Sequence, residues 1–177
     1  MNSSVLILIG AGGTLFLLWL IVGLRHFKYL KSGINEQWEL LDERLRKRHD
    51  LVPNLIETVR GYAGGRQEDL MRDFMVDRRQ AARHHGPGSK KIEYEHALSL
   101  SINKVFDLGA DITGLGSDTN FLELRTEIDD LEQDIEMKVK KYNEMVRSFN
   151  KQRKIFLLWP LAAVFRYERM DIFEVEV

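Results

Sequence analysis

The strongest constraint on this chain is a long N-terminal stretch without charge. From Met1 to Leu24 there is no Lys, Arg, Asp or Glu. The part from Val5 to Leu24 has about the 20 residues that a helix needs to cross ~30 Å of hydrocarbon. A cleaved signal peptide would begin with basic residues and end at a small-residue cleavage site. Here the first basic residue is Arg25, so we expect a retained membrane anchor.

The charges beside this stretch predict its direction. Arg25, Lys28 and Lys31 follow it, whereas only polar residues precede it. The positive-inside rule then predicts a single-pass protein with residues 25–177 in the cytoplasm and the N-terminus outside. We also expect the three basic side chains to contact anionic lipid headgroups.

Composition excludes some classes of partner and chemistry. The 26 basic and 27 acidic residues give a net charge of −1, whereas a nucleic-acid binder normally carries a basic surplus. We therefore predict no nucleic-acid partner. The absence of cysteine removes disulfides, thiolate zinc sites and cysteine nucleophiles.

The apolar periodicity predicts an all-α protein. Helices are expected over 35–62, 66–84 and 90–111, and a fourth has an apolar stripe from Phe121 to Phe149. Pro53 should kink the first of these near residues 49–53 without ending it. Short glycine-containing turns favour an antiparallel four-helix bundle after the transmembrane helix. The predicted segments are an anchor (1–31), a bundle (32–165) and a C-terminal tail (166–177).

The fourth helix has segregated charge. Residues 118–136 carry a net charge of −7 and residues 138–154 a net charge of +6. This arrangement either only stabilises the helix dipole or places the basic end near the membrane. The second interpretation predicts a membrane-proximal position for Lys138, Lys140, Lys141 and Arg147.

An apolar run of eleven residues follows, from Ile155 to Phe165. It is too short to span a bilayer, and Pro160 interrupts it. A basic cluster followed by a run that contains Trp159 is typical of an interfacial membrane contact. Packing of the run on the end of the bundle is the alternative.

Local motifs do not indicate an enzyme. Glu93 and His96 form one Glu-x-x-His unit, whereas di-iron bundles use two such units. No serine has a nucleophile-elbow setting. We expect no catalytic residue, cofactor or metal, and a carboxylate-bridged metalloprotein is kept as an alternative.

The unusual motif is RHDLVPNLIETVRGYA, residues 48–63. It places Arg48, His49, Asp50, Asn54 and Glu57 within about three helical turns around a proline. Charged side chains there can occupy the carbonyl that a proline leaves free and lock neighbouring helices. The motif is therefore either a buried polar clasp or a partner-binding surface.

This motif closely resembles the signature of the LemA family of bacterial membrane proteins. Later elements that match the family pattern are Phe121–Leu124, Glu132, Ile135, Tyr142–Asn143, Asn150 and Trp159–Pro160. The chain departs from the pattern at 113–116 and at Val139. The resemblance implies one N-terminal membrane helix, a bundle of long helices and no established enzymatic activity. A MamQ-like branch of the family is implicated in magnetosome formation.

We therefore expect a non-enzymatic scaffold at the cytoplasmic face of the bacterial inner membrane. It would recruit a membrane protein or another copy of itself through Arg48, Asp50, Asn54, Glu57, Tyr142 and Asn143. The expected membrane contacts are Arg25, Lys28, Lys31, Lys138, Lys140, Lys141 and Trp159. A lipid-binding or membrane-shaping role is the alternative.

Overall fold

The computed structural model describes residues 3–155 and 157–174. Within them the chain is helical and contains no strand. The elements are α1 (Ser3–Ala63), α2 (Glu68–Arg83), α3 (Ser89–Asp111), a short 3₁₀ helix (Leu115–Ser117), α4 (Thr119–Gln152) and α5 (Trp159–Val164). The all-α prediction is confirmed. Residues 175–177, the end of the predicted tail, lie outside the described residues.

Helix α1 joins two segments that the sequence pattern predicts as separate helices. The charge-free stretch and the first predicted bundle helix form one α-helix, and Pro53 lies inside it. The prediction that Pro53 does not end the helix is therefore confirmed. Among the described residues, α1 is the helix that is both long enough and apolar enough to cross a membrane. Only 6% of its most apolar 18-residue window is buried. It is the candidate membrane anchor.

The ends of the helices follow local chemistry. Helix α1 ends before Gly64 and Gly65, whose φ angles of 57° and 82° are costly for other residues. Helix α4 begins after Asp118, whose Oδ1 accepts a hydrogen bond of 2.8 Å from the backbone N–H of Phe121. Asp118 is thus the N-cap of α4.

The chain divides into two compact units. The anchor unit contains the chain up to Glu36 together with Glu144–Met170. The core unit contains Gln37–Asn143 and the chain from Asp171 onward. Helices α1 and α4 therefore contribute residues to both units.

The core unit is built around an apolar cluster to which all four long helices contribute. Buried members include Leu55 of α1, Phe74 of α2, Ile102 of α3 and Ile128 of α4. Within this unit, Tyr62 of α1 bonds to Asp118, whereas the earlier residue Arg48 reaches the later residue Glu132. The α1 and α4 segments of the core unit therefore run antiparallel.

The anchor unit is held together by aromatic packing. Phe27 of α1 is fully buried, stacks on Tyr167 with ring centroids 4.8 Å apart and meets the edge of Phe149 at 5.9 Å. Asn150 pairs with the backbone of Met170 through both of its amide atoms, at 2.7 and 3.1 Å. The end of α4 thus packs against α1 a few residues after the apolar stretch.

We predict opposite effects for alanine at two helical glycines of the core unit. A Cβ at Gly109 would lie 2.6 Å from the buried ring of Phe121, whereas a Cβ at Gly61 would meet nothing within 4 Å. Gly109→Ala should therefore lower the free energy of unfolding by about 1–3 kcal/mol through overpacking. Gly61→Ala should raise it by about 0.5–1 kcal/mol. Urea unfolding of the full chain in detergent, followed by circular dichroism, measures both, and equal effects would contradict the packing at Gly109.

Candidate functional site

The most unusual feature of the core unit is a buried carboxylate, Glu95, on α3. Its side chain is fully buried. Burying an ionised carboxylate without partners would cost many kcal/mol, so its neighbours decide whether the fold tolerates it. These neighbours are three basic side chains, two from α1 and one from α3.

Two neighbours come from the motif around Pro53. Arg48 is 1% exposed and donates from Nη2 to Glu95 Oε2 at 2.7 Å and from Nη1 to Ser99 Oγ at 2.7 Å. His49 Nε2 lies 2.9 and 3.1 Å from the two carboxylate oxygens. Because an ionised Glu95 can only accept, His49 carries its proton on Nε2.

The third neighbour is Lys91, one turn before Glu95 on α3. Its Nζ lies 2.7 Å from Glu95 Oε1 and donates to the carbonyl of Ala81 at 2.8 Å. Asp42 lies farther away, with its Oδ1 3.9 Å from Lys91 Nζ. Every oxygen of Glu95 therefore meets a basic group, and we call Arg48, His49, Lys91 and Glu95 the buried ionic cluster.

The cluster changes the acidity of its carboxylates. Burial alone would raise the pKa of Glu95. The hydrogen bond from His49 and the charges of Arg48, His49 and Lys91 outweigh burial and lower this pKa to about 2. For the half-buried Glu132, burial outweighs the attraction of Arg48, and its pKa is raised. Glu95 is thus the permanent anion of the cluster.

Pro53 is linked to the cluster through a backbone acceptor. A proline has no N–H, so the carbonyl four residues earlier in the helix, that of His49, loses its intrahelical donor. Arg78 of α2 supplies the missing bond, because its Nε donates to His49 O at 2.7 Å. A charged side chain thus occupies the freed carbonyl, as the clasp interpretation of the motif requires, but it comes from another helix.

The six predicted partner-binding residues fall into two groups. Asp50, Asn54 and Glu57 are exposed on α1. Arg48, Tyr142 and Asn143 are buried, with 1%, 0% and 5% exposure. The second group therefore faces the interior of the core unit. The burial of these three side chains argues against their direct contact with a partner.

Tyr142 and Asn143 have structural contacts instead. The ring of Tyr142 packs against Trp38 at 5.8 Å, and burial together with the negative charge of Asp171 raises its pKa to about 12. Asn143 donates to the carbonyl of Phe173 and accepts from its N–H, both at 2.7 Å. Phe173 is fully buried against Trp38. These residues hold the C-terminal segment against the core unit.

The predicted membrane-contact residues are mostly exposed. Exposed members are Arg25, Lys28, Lys31, Lys140, Lys141 and Trp159. Lys138 is half-buried and pairs with Asp134 at 3.4 Å. Arg147 is exposed and belongs to the anchor unit together with the apolar stretch of α1.

The sequence motifs did not point to four residues of this site: Lys91, Glu95, Ser99 and Arg78. Three of them were detectable, since Lys91, Glu95 and Ser99 recur at four-residue spacing beside the apolar stripe of α3 that includes Leu98. Polar residues at positions that should be buried need partners. The only motif in this segment joined Glu93 and His96, and neither belongs to the cluster.

A groove with an acidic rim lies on the surface of the core unit between α1 and α4. It has a volume of about 370 Å³ and is lined by Lys47, Asp50, Leu51, Glu127, Asp130, Leu131 and Asp134. Its two leucines are half-buried, whereas Asp50, Glu127 and Asp130 are exposed. A second depression, beside Leu122, shares Glu127 and Asp130. We call this surface the acidic groove.

Within the described residues, Glu127 and Asp130 form no ion pair, whereas Asp134 is bound to Arg44 at 2.6 Å. The structure also contains no group of three or more possible metal ligands among those residues. The acidic groove therefore offers free negative charge beside apolar carbon.

The sequence model of the LemA family matches residues 37–177. The chain belongs to the LemA family. The match includes the motif around Pro53 and the whole of α4, and it begins after the apolar stretch of α1. A search of curated proteins finds no match. In this LemA protein the signature motif supplies two members of the buried ionic cluster and the carbonyl that Arg78 occupies.

We predict that the core unit loses stability in acid through Glu95. A lowered pKa in the folded state stabilises the fold above the ordinary pKa of 4.5 and is lost as the pH falls toward about 2. The full loss is about 3 kcal/mol, and the raised pKa of Glu132 partly offsets it. Glu95→Gln should lower stability at neutral pH by about 3–5 kcal/mol and flatten this part of the profile.

The matched control is Glu93→Gln, an exposed position on the same helix. Urea unfolding between neutral pH and pH ~3 compares the two variants with the parent chain. A Glu95→Gln profile parallel to that of the parent would contradict the assignment of Glu95.

We also predict coupling between Pro53 and Arg78. Arg78→Met should cost about 1–3 kcal/mol, because the carbonyl of His49 is left without a donor. In a Pro53→Ala background the alanine N–H can bond to that carbonyl, so the same substitution should cost about 1 kcal/mol less. A double-mutant cycle of unfolding free energies measures the difference. Equal costs in both backgrounds would show that Arg78 acts elsewhere.

Proposed function

We propose that this LemA protein is a non-enzymatic adaptor that is anchored in the bacterial inner membrane and binds a cationic amphipathic segment of a membrane-protein partner in its acidic groove. The observation that carries the proposal is the combination of unpaired carboxylates and half-buried leucines in one groove. In this proposal the helices of the core unit form an antiparallel four-helix bundle in the cytoplasm, as the basic residues after the apolar stretch suggest.

The charges of the molecule support binding over catalysis. The chemically distinctive group, Glu95, is fully buried and bonded on both oxygens by its own chain. Such a group stabilises an interior and does not meet a substrate. By contrast, Glu127 and Asp130 are exposed beside Leu131. Amphipathic helices bind in grooves of this kind through their apolar face, and charge at the rim selects the partner and its orientation.

The exposed members of the motif around Pro53 extend this surface. Asp50 lines the acidic groove and is 77% exposed at its side chain. Asn54 follows one turn later and Glu57 two turns later on α1, and both are exposed. The motif would thus have two roles, with Arg48 and His49 directed inward and Asp50 outward. This division reconciles the clasp and the partner surface that the sequence left as alternatives.

We predict that reversing charge in the acidic groove abolishes capture of a cationic helix. The full chain in detergent micelles is titrated with a fluorescent amphipathic peptide that has leucines on one face and lysines on the other. Binding should weaken with added salt and be about tenfold or more weaker for the double variant Glu127→Lys/Asp130→Lys. The matched control is Glu136→Lys/Glu93→Lys, which makes the same charge change at exposed positions outside the groove.

A peptide with glutamates in place of the lysines should not bind. Equal loss of binding in both double variants would show that net charge, not the groove, attracts the peptide, and would contradict the proposal. In cells, a photo-crosslinker at Leu122, which is 45% exposed beside the groove, should capture a partner that the groove variant loses. Crosslinks only between copies of this chain would instead indicate self-association.

A further inference from the structure

The apolar side chains of residues 157–165 divide into two sets in the anchor unit. Leu161 and Ala162 of α5 are buried, with 2% and 5% exposure. Leu158 is half-buried. Four other large apolar residues are exposed: Leu157 (61%), Trp159 (61%), Val164 (74%) and Phe165 (46%). The two interpretations of this run, core and membrane interface, therefore apply to different residues of it. We expect the exposed set to be covered by a binding partner or a membrane, because a large apolar patch is rarely left exposed to water.

The buried set fixes the position of α5 along α1. The side chain of Leu161 packs so closely on Gly23 that any Cβ at this glycine would overlap its Cδ1, and Leu158 Cδ2 would lie 3.7 Å from that Cβ. Gly23 stands in the last turn of the charge-free stretch, two residues before Arg25. Helix α5 is therefore level with the point where the apolar part of α1 ends.

The chain after α5 is also held in place. Arg166 adopts a left-handed backbone conformation with φ of 50°, and the N–H of Tyr167 donates to the carbonyl of Ala162 at 2.9 Å. This turn brings Tyr167 onto the ring of Phe27, one turn after Gly23. The α5 segment is thus held against α1 at Gly23 and again at Phe27, and it cannot easily turn its exposed residues inward.

Charge around this position favours an anionic surface. In the anchor unit, residues 25–36 and 144–170 contain nine basic residues and three acidic ones. The basic residues nearest to α5 in sequence are Lys151, Arg153, Lys154, Arg166 and Arg169, and only Arg153 among them is half-buried. Exposed tryptophan and leucine beside exposed lysine and arginine match the headgroup region of an anionic membrane.

From these observations we propose that residues 157–165 form a second membrane contact, which inserts Leu157, Trp159, Val164 and Phe165 into the headgroup–acyl boundary of an anionic bilayer beside the point where α1 leaves it. One lipid surface covers both the exposed apolar face of α1 before Gly23 and the exposed set on α5, because the two are level. The contact does not depend on the acidic groove, which belongs to the core unit.

The experiment uses the fact that the chain contains no cysteine. Single cysteines are introduced at Val164, at Leu17 in the apolar stretch and at Met137, a residue of the core unit that is 65% exposed. Each full-length variant is spin-labelled and reconstituted into vesicles of phosphatidylcholine with phosphatidylglycerol. Relaxation by oxygen, which concentrates in lipid, is compared with relaxation by a water-soluble nickel complex.

The ratio of oxygen to nickel accessibility for the label at Val164 should exceed that at Met137 by about threefold or more and stay below that at Leu17, as expected for interfacial depth. It should fall when phosphatidylglycerol is omitted or salt is added. A label at Leu157 should repeat the result. Unchanged circular dichroism in all variants shows that the helices are intact.

A ratio at Val164 equal to that at Met137 would overturn the proposal, because the segment would then face water. Spectral broadening between labels at Val164 of neighbouring copies, with low access for both reagents, would also overturn it, since a second copy would then cover the patch. A further variant, Trp159→Glu/Val164→Glu, keeps the buried residues Leu161 and Ala162. With a label at Leu157, the ratio of oxygen to nickel accessibility in this variant should shift toward the ratio at Met137. An unchanged ratio would count against membrane insertion.

Discussion

The short segment of α1 from Arg48 to Pro53 carries the polar interactions on which the core unit depends. It directs two basic side chains at Glu95 and leaves one carbonyl for Arg78. Each of these groups is costly to bury alone, and together they are satisfied. Removing Glu95 would take the closest carboxylate from Arg48 and Lys91. Removing Arg78 would leave the carbonyl of His49 without a donor. The proline is therefore a positioning device, since it creates the acceptor that ties α2 to α1.

The sequence predicted the helices because helical periodicity is local. The stripe from Phe121 to Phe149 lies within α4, and the observed bounds of α2 and α3 differ from the predicted ones by one or two residues. It did not predict the partners of Arg48 and His49, because these lie on α3, 46 or more residues away in the chain. Burial is also decided by all elements at once. Arginine is usually exposed, and Arg48 is buried only because Glu95 pairs with it in the interior.

The contacts of the C-terminal segment could not be predicted from the sequence either, because they also join residues that are distant in the chain. Two asparagines one heptad apart on α4 hold the segment that the sequence predicted only as a C-terminal tail. Asn143 pairs with the backbone of Phe173, and Asn150 pairs with that of Met170. An amide side chain can donate and accept at once, so each asparagine replaces the two bonds that a neighbouring strand would offer. That explains how an extended segment is ordered without a sheet.

The charged residues of the core unit fall into two kinds. Some are paired with one another in the interior, and others are exposed at the surface. Lys91, Arg48 and Glu95 are bonded to one another in the interior, so they cannot attract a partner without unfolding the core unit. The exposed carboxylates Glu127 and Asp130 have no such internal role among the described ion pairs, yet both lie at the rim of a leucine-containing groove. Exposed like charges close together oppose helix stability slightly. A cationic partner of the kind proposed would relieve this repulsion when it binds in the acidic groove.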